Sequence, residues 1–221
     1  MKATNLTLGL AFLTGAFALS ALAEDNELTA AEKQDGWVLL FDGKSLDGWT
    51  GDPSVWRVEN GYISGKADKV AHNTFLIYKQ AYSNFVLQAD VMLIKNAGGF
   101  ANSGIQYRSK VVNPAEWIVH GYQADMADGY WGILYEEGGR GILWKAAPEV
   151  GPTIKAADWN HYEITANGTL VREALNGVTS GELDDKDEAK RSAAGIIGLQ
   201  YHAPGNGFEV RFRNIKIKLL K

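Results

Sequence analysis

The chain has 221 residues and no cysteine, with 22 basic against 26 acidic residues and a formal net charge of −4. The missing cysteine excludes a disulfide framework, a lipidated cysteine and thiol chemistry, and the acidic balance argues against a nucleic-acid partner. Seven Trp and nine Tyr exceed what a core of this size ordinarily needs and favour a carbohydrate surface, because ring faces pack on sugar C–H groups.

Residues 1–23 read as a secretory signal peptide, with Lys2, an apolar run from Leu6 to Leu22 and the small-residue site Ala21-Leu22-Ala23. The exported chain then starts at Glu24 with 21 basic against 26 acidic residues, a net charge of −5. It has no later stretch able to span a membrane, so the expectation is a periplasmic or extracellular protein with no membrane partner after cleavage. Residues 24–35 are a leader or short helix capped at Thr29. Residues 36–221 are long enough for one domain with a substantial core.

From Gly36 the chain reads as short strands and tight turns. Gly36–Phe41 is an apolar strand ending at Asp42-Gly43. Val55–Gly65 is a hairpin through Asn60-Gly61, a pair that accepts the positive φ both turn positions need. Phe75–Tyr78 and Phe85–Ile94 follow, the latter placing Phe85, Leu87, Ala89, Val91 and Leu93 on a core face opposite Gln88 and Asp90. Asn96–Phe100 is a Gly-containing turn into Asn102–Arg108, and Pro114 separates that strand from Trp117–Met126. Short strands at Ile133–Tyr135 and Gly141–Lys145 flank the loop EEGGRG. Trp159–Ala166 and Thr169–Leu175 pair through Asn167-Gly168, and Asn176-Gly177 follows as another turn. Asp184–Arg191 is a solvated charge run. Ala194–His202 and Phe208–Leu219 close the fold, with a bulge expected near Arg213-Asn214 where the apolar phase slips. Roughly a dozen short strands and no long amphipathic helix define an all-β fold: a two-sheet antiparallel jelly-roll sandwich.

Polar chemistry is concentrated between Asn102 and Tyr135. Read with period two, Asn102, Gly104, Gln106 and Arg108 share one side of their strand. Gln123 and Asp125 share one side of the next, opposite His120, Tyr122 and Met126. With Tyr130, Trp131 and Tyr135 nearby, this patch suits a polyhydroxylated ligand. A solvent-facing sheet can be polar without a ligand, but such faces favour Lys, Glu, Thr and Ser over Asn, Gln, Arg and Gly. His72, His120 and His161 read as structural. No Gly-rich phosphate loop, HExxH or G-x-S-x-G elbow is present.

The segments VLLFDGKSLDGW, WRVENGYISG, NSGIQYR, GYQADM, Trp159-Asn160, LNG at Leu175–Gly177, GLQYH and FRNIKIK, taken in order, resemble the 3-keto-disaccharide hydrolase domain family from about Gly36 to the C-terminus. The GYQADM form places Gln123 and Asp125 where many members carry Glu and Gln, and marks a subgroup. The resemblance implies a concanavalin A-like jelly roll and lyase or hydrolase activity on 3-keto sugars. By position, Asn102, Arg108, Tyr135 and His202 match the family pattern most directly. The chemistry it implies needs a base for the C2 proton, an electrophile at O3 and an acid for the leaving group. Asp125 or His202 is the candidate base, and Arg108 or a divalent metal ion held by Asp125 the candidate electrophile. Tyr135, Glu136 or Glu137 is the candidate acid. Asn102, Gln106, Gln123, Tyr130 and Trp131 are the candidate substrate-binding residues. The competing reading is a non-catalytic, lectin-like carbohydrate-binding domain using the same concave face.

Overall fold

The structure, a computed structural model, describes residues 24–96, 99–204 and 207–221. The signal-peptide reading and part of the Asn96–Phe100 turn lie outside them. Within them, no helix is long and apolar enough to cross a membrane.

In chain order the elements are α1 (Ala30–Gln34), β1 (Trp37–Leu39), β2 (Trp49–Thr50), β3 (Trp56–Glu59), β4 (Tyr62–Lys66), β5 (Thr74–Tyr82), β6 (Phe85–Ile94), β7 (Asn102–Asn113) and β8 (Ile118–Ala127). Then come β9 (Leu134–Glu137), β10 (Gly141–Trp144), a 3-10 turn at Pro148–Thr153, β11 (Asn160–Asn167), β12 (Leu170–Leu175), β13 (Val178–Asp184), β14 (Gly195–Tyr201) and β15 (Glu209–Leu219). They form two antiparallel sheets. One runs β13-β12-β11-β6-β15-β4-β3, with β1 added on β15, and the other runs β10-β9-β8-β7-β14-β5-β2. This is the jelly-roll sandwich the sequence predicts, with fifteen strands among the described residues rather than about a dozen.

Local chemistry accounts for most of the joints. Thr29 caps α1 through its hydroxyl on the Glu32 amide, and Glu32 reaches back to the Thr29 amide, a reciprocal capping box. Asn60 and Gly61 both take positive φ, 45° and 81°, and Asn176 and Gly177 do the same at 51° and 81°, as two-residue hairpins require. The β11–β12 hairpin differs from expectation. Asn167 pairs with Leu170, so the turn is Gly168-Thr169, one residue later, with positive φ at Gly168 alone. The bulge in β15 is where the sequence predicts it: its register with β6 breaks between Arg213 and Lys216, and Asn214 has φ 53°.

The two inner faces make the core. On β6, Phe85, Leu87, Ala89 and Val91 are buried while Val86, Gln88 and Asp90 are only partly so. Fully burying side chains of the Phe85 and Leu87 kind contributes about 1.5–3 kcal/mol each. Tyr107, Tyr122, Ile105, Leu199 and Ile197 approach from the second sheet. Burying those residues turns the alternate positions of β7, β8 and β14 toward the outer face of the second sheet.

Candidate functional site

The outer face of the second sheet carries a cavity of about 360 Å³. Its floor comes from Asn102 of β7, Gln123 and Asp125 of β8 and Gln200 of β14. Tyr135 and Glu137 of β9 form one wall, Asn73 and His202 another, and Phe100 and Tyr130 the rim. Both rim aromatics are exposed, at 45% and 42%, as rings free to meet a sugar face would be.

Asp125 is 5% exposed. Its Oδ1 accepts from the Met126 amide at 2.9 Å and from Gln123 Nε2 at 3.4 Å, while Oδ2 has no protein donor among the described residues. Burial pushes its pKa up to about 7 against the hydrogen bonds from Met126 and Gln123, and the charge of Glu137 adds to the rise. Glu137 accepts from Asn73 Nδ2 at 3.2 Å and from Gln200 Nε2 at 3.4 Å. Burial raises its pKa too. Burial also raises Tyr135, with Glu137 and Asp125 contributing, and lowers His202, which favours neutral imidazole. Asn102 Oδ1 is buried without a hydrogen-bond partner, an acceptor whose desolvation is uncompensated until a donor arrives.

A chain of amides sets the floor. Ser109 Oγ donates to Gln106 Oε1 at 2.7 Å, and Gln106 Nε2 donates to Gln123 Oε1 at 2.7 Å. That fixes Gln123 with its Nε2 toward Asp125 and Gln200 Oε1. Gln106 is therefore fully buried beneath the floor, a brace for Gln123 that does not line the cavity. From the core side, the Tyr162 hydroxyl donates to the Asp125 carbonyl at 2.7 Å and accepts from the Gly132 amide at 3.1 Å, holding the β8–β9 turn in place.

Three of the expected site residues lie elsewhere. Arg108 has φ 46° and sits where the β7–β8 register breaks between Tyr107 and Lys110, so the alternation ends and its side chain turns away. It is 1% exposed. Its guanidinium donates to Ser83 O at 2.7 Å, Gly168 O at 2.9 Å and Asn84 Oδ1 at 3.2 Å, stapling the β5–β6 and β11–β12 turns. Trp131 stacks on buried Tyr162, centroids 6.4 Å apart, and packs against the core. Glu136, one of the acid candidates, points off the cavity and is paired with Arg140, which also binds Asp185.

Among the described residues, no group of three or more His, Cys, Asp and Glu side chains is gathered so as to hold a metal ion. Asp125 and Glu137 are the carboxylates the cavity offers to one. Sequence reading missed Asn73, Phe100 and Gln200. GLQYH drew notice only as a motif, although Gln200 alternates with the buried Leu199 and Tyr201. Asn73 and Phe100 lie in connections that carry no period to read.

Fold and cleft define a class: a jelly-roll sandwich whose outer sheet face holds an acid- and amide-lined cavity with aromatic rims, the kind of surface that takes sugars. More narrowly, the chain belongs to the 3-keto-alpha-glucoside-1,2-lyase-like domain family, which it matches over residues 36–218. It is similar to a 3-keto-disaccharide hydrolase of Bacteroides thetaiotaomicron, 33% identical over 100 residues that cover 41% of this chain and 33% of that protein. The match thus spans about a third of the relative's length. A solved structure from Parabacteroides distasonis, provisionally described as a glycosyl hydrolase, aligns with TM-score 0.67 at 25% identity, covering 90% of this chain and all of that one. The carbohydrate-binding module CBM66 of Bacillus subtilis shares the fold, with TM-score 0.58 at 18% identity over 77% of this chain and 95% of its own.

Proposed function

We propose that the chain is an exported enzyme that cleaves the glycosidic bond of 3-keto glycosides. The observation that carries this reading is Asp125: a buried carboxylate with one oxygen anchored by Met126 and Gln123, the other open to the cavity, and a pKa near 7. A base of that strength is ionised in part at neutral pH and still basic enough to remove a proton next to a ketone.

In this mechanism the C3 ketone acidifies the C2 proton, and Asp125 takes it. The electron pair passes to O3 as an enediolate, then returns to expel the C1 oxygen by β-elimination. Glu137, whose pKa burial raises, is the donor to the departing oxygen. Addition of water across the resulting 2-hydroxyglucal completes net hydrolysis. With Arg108 buried elsewhere, the developing O3 charge falls to the amide N–H groups of the floor and to His202, and Asn102 Oδ1 accepts a sugar hydroxyl. Tyr135 is the alternative donor to the leaving group.

The direct test is to incubate the purified protein with a 3-keto disaccharide and follow loss of the ketone and release of the second sugar. Catalytic consumption supports the reading. Saturable binding without consumption selects the alternative, a carbohydrate-binding domain using the same face. Export is tested by sequencing the N-terminus of protein recovered outside the cytoplasm, which should begin at Glu24.

A further inference from the structure

A second cavity of about 370 Å³ lies beside the Asp125 cavity, where β7, β8 and β9 contribute Lys110, His120 and Glu137. Glu137 lines both cavities, so they adjoin at this residue. From Asp125 back to Gly121 is four strand residues, about 13 Å, more than one sugar ring.

The sequence pattern puts His120 on the core side with Tyr122, and the structure reverses this. Gly121 has φ 146°, and a Cβ there would lie 2.3 Å from Ser109 Oγ. This close approach, at the same bulge that turns Arg108 away, breaks the alternation and brings His120 to the surface. Its ring lies flat under Gly138, where a Cβ would meet three ring atoms at 2.4 Å.

The two cavities differ in charge. The Asp125 cavity holds carboxylates and amides. In the other, Glu136 and Arg140 are engaged with each other and with Asp185. Glu137 is held from the first cavity by Asn73 and Gln200. The remaining charges are cationic: exposed Lys110, and Lys190, whose contact with Asp187 is a solvent-exposed 3.5 Å pair.

We propose that this second cavity is the subsite for the group released from C1, and that it selects a leaving group bearing a carboxylate, such as a uronic acid unit, through Lys110 and Lys190 beside His120. The proposal rests on the reading of the Asp125 cavity as the site of bond cleavage. A carboxylate there meets two cations and a ring edge, while the 3-keto ring occupies the amide-floored cavity.

Two measurements test it. In the first, D-glucuronate and D-glucose are titrated at low salt while the His120 ring protons are followed by NMR, in the parent and in Lys110→Gln/Lys190→Gln. Glucuronate should shift the His120 signals, bind at least about fivefold more weakly to the double variant, and weaken further with added salt; glucose should show no such difference. Silent His120 signals, or equal losses for both sugars, would overturn the subsite. In the second, 3-keto disaccharides with a uronic acid or its neutral amide as leaving unit are compared by kcat/KM. The parent should prefer the acid by about fivefold or more, and the double variant should not; a preference that survives both substitutions also overturns it. If neither compound is consumed while His120 still reports glucuronate, the cleavage reading fails and the anionic-sugar site stands.

Discussion

Gln123 lies across Gly104, so close that a Cβ on Gly104 would sit 2.4 Å from Gln123 Cγ and Cδ. Gly104 is the cross-strand partner of Asp125, and the missing side chain lets the amide lean along the sheet to the carboxylate. The substitution Gly104→Ala should push Gln123 off Asp125. The expected result is a fall in kcat/KM on the order of 10- to 100-fold, the scale of an ångström-sized misplacement, with circular dichroism showing the fold retained. Unchanged kinetics would remove Gln123 from the positioning of the base.

Asp125→Asn keeps the shape and removes the charge. Turnover of a 3-keto disaccharide should drop by at least about 100-fold. Stability should not drop with it at pH 8, because the native site disfavours the carboxylate. The rise in pKa from 3.8 to about 7 corresponds to about 4 kcal/mol of strain on ionisation. A higher melting temperature in the variant at pH 8, shrinking toward pH 5, is the signature; a lower one at both would contradict the assignment of an isolated buried carboxylate.

The same rise sets the pH dependence. A folded-state pKa above the unfolded one means the unfolded chain releases the proton first, so the contribution to stability is lost as pH rises from about 4 to 7. Glu137 and fully buried Glu173, which accepts from the Tyr107 hydroxyl at 2.9 Å, are raised by burial and act in the same direction. Asp185 and Asp90 act oppositely. Asp185 is lowered chiefly by Arg140 against its own burial. For Asp90 burial is the largest effect and opposes the shift, which hydrogen bonds from His161 and Asn214 carry. Their support is lost as pH falls below the usual carboxylate range. Activity should climb with pH through about 7 as Asp125 ionises. A pH profile of kcat/KM with no rising limb near 7 would point to a different base, His202 first.

Arg108→Lys separates structure from chemistry. Lysine keeps the charge but loses the fork that joins Ser83, Asn84 and Gly168. Hydrogen bonds from a charged group contribute about 1.5–3 kcal/mol each, so the melting temperature should fall by several degrees. The kcat and KM of the folded variant should match the parent. A selective loss of kcat would put Arg108 back in the mechanism.

Local sequence chemistry determined the sandwich, the hairpins at Asn60-Gly61 and Asn176-Gly177, the capped helix and the bulge at Arg213-Asn214, because turn residues and two-residue periodicity are properties of neighbours along the chain. The same alternation brought Asn102, Gln123 and Asp125 to one face, and Tyr135, Glu137 and His202 join them in the cavity. Tertiary structure alone decided the rest. Arg108 and His120 exchanged expected sides because period two holds only between bulges, and the one at Tyr107–Lys110 depends on how β7 pairs with β8. Gln106 became a brace and Trp131 packed against the core because burial is set by the layer packed above or below. Gln200 and Asn73 reached Glu137 across 63 and 64 residues of chain, a contact made by strand order in the sheet and written in no local pattern.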